Sequence, residues 1–119
     1  MKVSEAEWSV LEILWEGERF TLGDITKALK NVNGWSKNTV HTYLTRMSGK
    51  GLVTIDKENE KPYSAAVTRE ECAKKERGEL LNKVYHGATG NLIAAFLKES
   101  DISREEIEKL RVLLDEMEV

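Results

Sequence analysis

The chain has 119 residues, with 18 Lys/Arg against 21 Asp/Glu, a formal net charge of −3 and one cysteine. That length suits one compact unit, or one small domain with an extension. Cys72 alone makes neither an internal disulfide nor a paired-cysteine metal site, and no apolar leader or long uncharged apolar run is visible, so the expectation is a cytoplasmic protein without a membrane span.

Helix starts are legible as repeated caps, in which a Ser or Thr oxygen takes an orphan backbone N–H and an acid three positions on returns the bond. Ser4 with Glu7 opens helix 1, which runs from about Ser4 to Trp15. Trp8, Leu11, Leu14 and Trp15 form its buried stripe, and Gly17 is expected to end it. Thr21 with Asp24 opens helix 2, running to about Lys30 with Leu22, Ile25 and Leu29 inward. Asn33-Gly34 makes the next turn. Ser36 caps helix 3 without a matching acid, and Gly49 or Gly51 closes it.

Leu52–Asp56 and Pro62–Val67 read as two short strands around a polar turn carrying Lys57 and Lys61. Three helices followed by a hairpin make a winged helix-turn-helix, since two short strands are marginal unless packed on helices. Thr68 with Glu71 and Ser103 with Glu106 open two further helices, and a short one runs from Thr89 to Lys98 between them. The first of these runs to Tyr85, weakened at Gly78 and broken at His86-Gly87. Their apolar positions are Leu80, Leu81 and Val84, then Leu92, Ile93 and Phe96, then Ile107, Leu110, Leu114 and Met117. The last four are spaced 3, 4, 3, an a/d seam of about two heptads. Three short helices with such faces have too little surface in their own chain to cover. A second copy of the chain is the economical partner. The fold class is therefore mainly α with a small β-wing: a winged helix-turn-helix followed by a three-helix dimerisation region.

Function is concentrated between Ser36 and Lys50. Val40, Leu44 and Met47 repeat at i, i+4, i+7 and face the core. The other side carries Asn38, His41, Thr42, Thr45 and Arg46, and no Asp or Glu occurs in the whole stretch. Residues 1–35 hold 4 bases and 6 acids, 36–68 hold 5 and 3, and 69–119 hold 9 and 12, so only the middle is positive. Medium-length hydrogen-bonding side chains on a helix face without acids suit a DNA major groove. Asn38, His41, Thr42, Thr45 and Arg46 are expected at base edges or nearby phosphates, with which of them reads bases left open. Ser36, Lys37 and Thr39 sit at the helix N-terminus, where backbone N–H groups also favour phosphate. Lys50, Lys57 and Lys61 are expected to contact phosphates without regard to sequence.

Plainer readings fit the remaining chemistry. His41 has no Cys, Asp or Glu on its helix face, and His86 beside Gly87 suits a helix C-terminus. Cys72 reads as core, and Trp8, Trp15 and Trp35 as core or staple residues. No nucleophile–base–orienter set, cofactor signature or metal-ligand set is visible, so an enzyme is not expected. The two classes left are a sequence-specific repressor and a winged-helix dimer that makes protein contacts only. The acid-free face favours the first, because protein-contact faces more often carry apolar anchors.

These residues resemble the penicillinase and methicillin-resistance repressor family of bacterial winged-helix regulators over nearly the whole chain. The carriers are Ser4-Glu5-Ala6-Glu7-Trp8 with Leu14-Trp15, then Trp35-Ser36-Lys37-Asn38-Thr39-Val40 through Leu44-Thr45-Arg46-Met47 and Gly51-Leu52-Val53. Leu80 through Gly87, Asn91-Leu92-Ile93 and Ile107 through Leu114 complete the set. The resemblance implies a homodimer on a palindromic operator of double-stranded DNA, with residues 1–70 on a half-site and 71–119 in the dimer. It implies repression of an inducible antibiotic-resistance operon, of β-lactamase type or related. It also implies induction, in the antibiotic-responsive branch, by a membrane sensor protease that cuts an Asn–Phe bond. The matching pair here is Ala95-Phe96, which departs from that pattern and leaves open a signal other than β-lactams. The branch that controls copper export uses paired Cys-x-Cys motifs, which this chain lacks.

Overall fold

A computed structural model describes residues 2–117. They form α1 (Glu5–Leu14), α2 (Leu22–Leu29), α3 (Lys37–Gly49), β1 (Val53–Ile55), β2 (Tyr63–Ala65), α4 (Arg69–Tyr85), α5 (Thr89–Glu99) and α6 (Arg104–Glu116). The described chain divides into two compact units, one ending at Lys75 and the other starting at Glu76, with the division inside α4.

The first unit is a three-helix cluster closed by a hairpin. Each helix is amphipathic and contributes its apolar stripe to one core. Val10, Leu11 and Leu14 come from α1, Ile25 and Leu29 from α2, and Val40, Leu44 and Met47 from α3. Leu52, Val53 and Tyr63 join from the hairpin, and Cys72 seals the core from the first turns of α4. The hairpin is antiparallel, pairing Val53 with Ala65, Thr54 with Ser64 and Ile55 with Tyr63. Phe20 adds a one-residue third strand: its N–H donates to the Tyr63 carbonyl at 2.8 Å and its carbonyl accepts from the Tyr63 N–H at 3.0 Å. Hydrogen bonds continue one residue beyond each end, from the Ala66 N–H to the Leu52 carbonyl at 2.9 Å and from the Asp56 N–H to the Pro62 carbonyl at 2.8 Å.

The caps form as the spacing predicts. Ser4 with Glu7 and Thr21 with Asp24 make full capping boxes. Thr68 and Glu71 exchange bonds of 3.1 and 3.3 Å. Gly17 does not end α1 as expected. Trp15 is the C-cap, in the right-handed region, and Gly17 has no positive φ. A Cβ on Gly17 would instead lie 3.0 Å from the Phe20 ring, so the position needs room for that ring. Gly51, with φ of 81°, is the residue that closes α3, a conformation in which a Cβ is strained. It lets the Leu52 N–H reach the Met47 carbonyl at 2.9 Å.

Trp15 Nε1–H donates to the Val67 carbonyl at 2.9 Å, and the Trp8 and Trp15 rings meet edge to face at 5.5 Å. The guanidinium of Arg69 lies 4.8 Å from the Trp15 ring centre and forks onto Glu12 at 2.5 and 2.6 Å. The start of α4 is thereby tied to α1.

The second unit comprises the rest of α4, then α5 and α6. Its first helix stops where His86 (φ 50°) and Gly87 (φ 83°) both turn left-handed. Neither α5 nor α6 contains a buried residue. Leu80, Val84, Ile93, Phe96, Leu97, Ile107, Leu110, Val112, Leu113, Leu114 and Met117 are all exposed large apolar side chains, while Leu81 and Leu92 are half-buried.

Candidate nucleic-acid interface

The site begins with the sequence division along α3. Val40, Leu44 and Met47 are fully buried, which fixes the rotation of the helix about its own axis. Asn38, His41, Thr42, Thr45 and Arg46 are then all exposed on the other side. Tyr43 stacks on Trp35, ring centres 4.2 Å apart and planes 22° from parallel. That contact pins the entry to α3 to its second turn.

The outer face is less rich in free donors than the residue types imply. Thr42 Oγ1–H donates to the Asn38 carbonyl at 3.0 Å, and Thr45 Oγ1–H donates to the His41 carbonyl at 3.0 Å. Such bonds are common for helical threonines. Each therefore offers a methyl group and oxygen lone pairs outward, a surface suited to a thymine methyl or a cytosine amino group. Asn38, His41 and Arg46 keep their full side-chain chemistry. At the N-terminus, Ser36 Oγ accepts from the Thr39 N–H at 3.3 Å, and the two hydroxyls bond each other at 3.1 Å. Half-buried Thr39 is thus part of the cap, while Lys37 is exposed beside it.

The three lysines expected to contact phosphates separate in space. Lys57 lines an open groove of about 630 Å³ together with His41, Thr45 and Ser48 of α3 and Ile55, Pro62 and Tyr63 of the hairpin. The hairpin and α3 therefore form one continuous surface there. Lys61 acts electrostatically on Asp24, at the first turn of α2. The hairpin tip itself is not basic: Asp56, Glu58 and Glu60 outnumber Lys57 and Lys61. Asp56 Oδ1 accepts from the Glu58 N–H and Asn59 Oδ1 from the Lys61 N–H, so tip geometry is locally determined.

Lys50 departs from the expectation. Its ammonium donates to both Glu7 carboxylate oxygens at 2.8 Å and to the Lys2 carbonyl at 3.1 Å. All three N–H donors are committed inside the domain, because Glu7 is a buried carboxylate that needs a partner. Burial pushes the Glu7 carboxyl up, but Lys50 and the Ser4 N–H outweigh it and hold it below the usual glutamate range. Lys50 therefore locks the end of α3 to the start of α1 instead of presenting a free cation.

Several residues of this surface escape a reading by periodicity. Arg19, in the loop after α1, donates from Nε to the Lys61 carbonyl at 2.8 Å and from a terminal nitrogen to the Pro62 carbonyl at 3.0 Å. It holds the base of the wing across 42 residues of chain, and no local pattern marks such a contact. Lys27 on α2 and Lys30 at its C-cap lie within a second groove shared with Lys37. Their clustering depends on how α2 crosses α3.

Further along the chain, Ala95 and Phe96 lie in the interior of α5, with Ala95 half-buried and Phe96 exposed. Among the described residues, no group of three His, Cys, Asp or Glu side chains is placed to hold a metal ion, and no helix is long and apolar enough to cross a membrane.

The chain is 31% identical over 115 residues to the methicillin resistance regulatory protein MecI of Mammaliicoccus sciuri, covering 96% of this chain and 94% of that one. It is 29% identical over 118 residues to a penicillinase repressor of Staphylococcus aureus, covering 98% and 94%. A penicillinase repressor of Bacillus licheniformis is 27% identical over 116 residues, covering 97% and 91%. A MarR/EmrR family transcriptional regulator from Acinetobacter sp. ADP1 aligns with a TM-score of 0.44 and 18% identity, over 97% of this chain and 78% of that one. The sequence profile described as Penicillinase repressor matches residues 3–116, and the chain belongs to that family.

Proposed function

We propose that this protein is a sequence-specific DNA-binding repressor that occupies a palindromic operator as a homodimer. The observation that carries the reading is the outer face of α3. It is exposed, free of acids, oriented by a buried stripe, and continuous with the wing through the Lys57 groove. An α-helix of this kind fits the major groove, where base edges are distinguishable. Arg46, Asn38 and His41 supply the donors that read bases. Thr42 and Thr45 supply methyls and acceptors, and Lys37, Lys57 and Lys61 meet phosphates. The first 70 residues bind one half-site, and residues 71–119 join the two copies.

The regulated genes are an inducible resistance operon of the kind that the names of the relatives describe, and the protein works in the cytoplasm. Ala95 at the bond matched to the cleavage site favours a second reading of the induction step, in which the signal is not the β-lactam-triggered cut. A membrane sensor protease remains the partner of the first reading.

Selection of bound sequences from a random duplex pool tests the core claim. A palindromic consensus with half-sites about one helical turn apart is expected. Equal retention of random and selected DNA would sink it. On the selected site, Arg46→Ala should cost about 1–3 kcal/mol and relax the preference at one position per half-site. Lys57→Ala should weaken all sequences alike.

A further inference from the structure

A second basic surface lies at the N-terminal end of α3, apart from the wing groove. Gly23, Thr26 and Lys27 of α2 and Lys30, its C-cap with right-handed helical backbone angles, recur at i, i+3, i+4, i+7, so they form one stripe beside the buried Ile25 and Leu29. With Gly34, Trp35 and Lys37 they line an open groove of about 450 Å³ that contains no acidic residue. Gly23 and Thr26 keep its floor low, and the Thr26 hydroxyl is already spent on the Leu22 carbonyl at 2.8 Å. Trp35, held by Tyr43, makes a fixed wall. Lys27, Lys30 and Lys37 are exposed and make no ion pair among the described residues. Asp24, which feels the charge of Lys27, has its carboxylate bonded to the Thr21 N–H at 3.2 Å. Three cations thus face solvent around one groove in a chain of net charge −3.

The occupant follows from the size of the partner. A helix with its side chains is about 10–12 Å across, and the major groove is about 12 Å wide. A duplex that receives α3 must bring its phosphate rows against the surfaces that border that helix. The wing groove borders its later turns, through His41, Thr45 and Ser48. The α2 groove borders its first turn, and Lys37 belongs to both this groove and the α3 N-terminus.

We propose that the α2 groove is a phosphate-binding track for the duplex backbone, with Lys27 and Lys30 as contacts additional to those of α3 and the wing. The inference rests on the DNA-binding reading above. It adds two residues that set affinity and register and carry no base preference.

The test is a salt titration of binding to the selected duplex, with wild type beside a Lys27→Gln/Lys30→Gln double variant. In a dimer the two positions occur four times, so the slope of log affinity against log salt should fall by about 3.6. The ratio of selected to random affinity should stay within about twofold. Lys27→Arg/Lys30→Arg keeps both charges and should keep the wild-type slope. An unchanged slope in the Gln variant, while wild type binds, overturns the track and leaves the proposed function standing. So does an Arg variant as defective as the Gln one, which would make the lysines structural. A wild type that binds no duplex overturns both.

Discussion

The two units of this chain use similar helices to opposite ends. Up to Lys75, every helix finds its complement within the same unit: Val10, Leu11, Ile25, Leu29, Val40, Leu44 and Met47 are all wholly buried. From Glu76 on, the apolar stripes are as regular but lie open, with Leu110 36% and Leu114 60% exposed. The difference lies in neighbours, not in amphipathicity. The first unit has a hairpin and three crossing helices to close its core. The second has two and a half helices, and neither α5 nor α6 contains a buried residue. A surface of this kind on a single chain marks an interaction face. The first unit closes its own core, and the second leaves its apolar faces open.

The sharpest way to break this comparison is to put a charge on the open stripe. Leu110→Asp or Leu114→Asp should leave a monomer in sedimentation equilibrium. Losing the linked second half-site should then lower operator affinity by about 10²–10⁴-fold. A monomer–dimer equilibrium unmoved by either change would count against the tail as a joint.

On the closed side the opposite logic applies. Leu44→Ala removes a fully buried side chain and should cost about 2–5 kcal/mol of stability. Trp8, Trp15 and Trp35 all lie before Lys75, so tryptophan fluorescence during urea unfolding reports on this unit. A shift of the midpoint by Leu44→Ala, with none from Leu114→Ala, would sharpen the contrast. Equal shifts would mean that the two units unfold as one.

A smaller effect is expected at the Glu7–Lys50 lock. Glu7→Gln keeps an acceptor for the Ser4 N–H but removes the charge facing Lys50, and should cost about 1–3 kcal/mol. The pH dependence has a definite sign. Because the folded protein holds Glu7 below its ordinary value of 4.5, its contribution is present above that pH and is lost as pH falls through the lower folded value. Glu7→Gln should therefore flatten the acid side of the stability profile. A profile identical to wild type would exclude this pair as a source of acid sensitivity.

Much of this was legible in the sequence, for reasons that are local. A capping box needs residues three positions apart, so Ser4 with Glu7 and Thr21 with Asp24 announce themselves. A helix stripe needs a fixed period, so Val40, Leu44 and Met47 identify the inner face of α3 and, by exclusion, its outer one. Family membership was equally legible, because its carriers are short runs such as Trp35 through Val40. The acid-free stretch pointed to the α3 face for the same reason, since charge along one helix can be counted without knowing any partner.

What only the tertiary structure decided concerns pairs distant in sequence. Lys50 reads as a free cation until Glu7, 43 residues away, is placed beneath it. Lys57 and Lys61 read as one basic tip until the hairpin sends one to α3 and leaves the other near Asp24. Gly17 reads as a helix stop until the Phe20 ring fills the space over it. Lys27 and Lys30 carry no local signal of a shared site, and only the packing of α2 against α3 brings Lys37 to the same groove. The physical reason is common to all four. Periodicity and caps are set by backbone geometry within a few residues, whereas the charge and space available to a side chain are set by whichever elements the core packs against it.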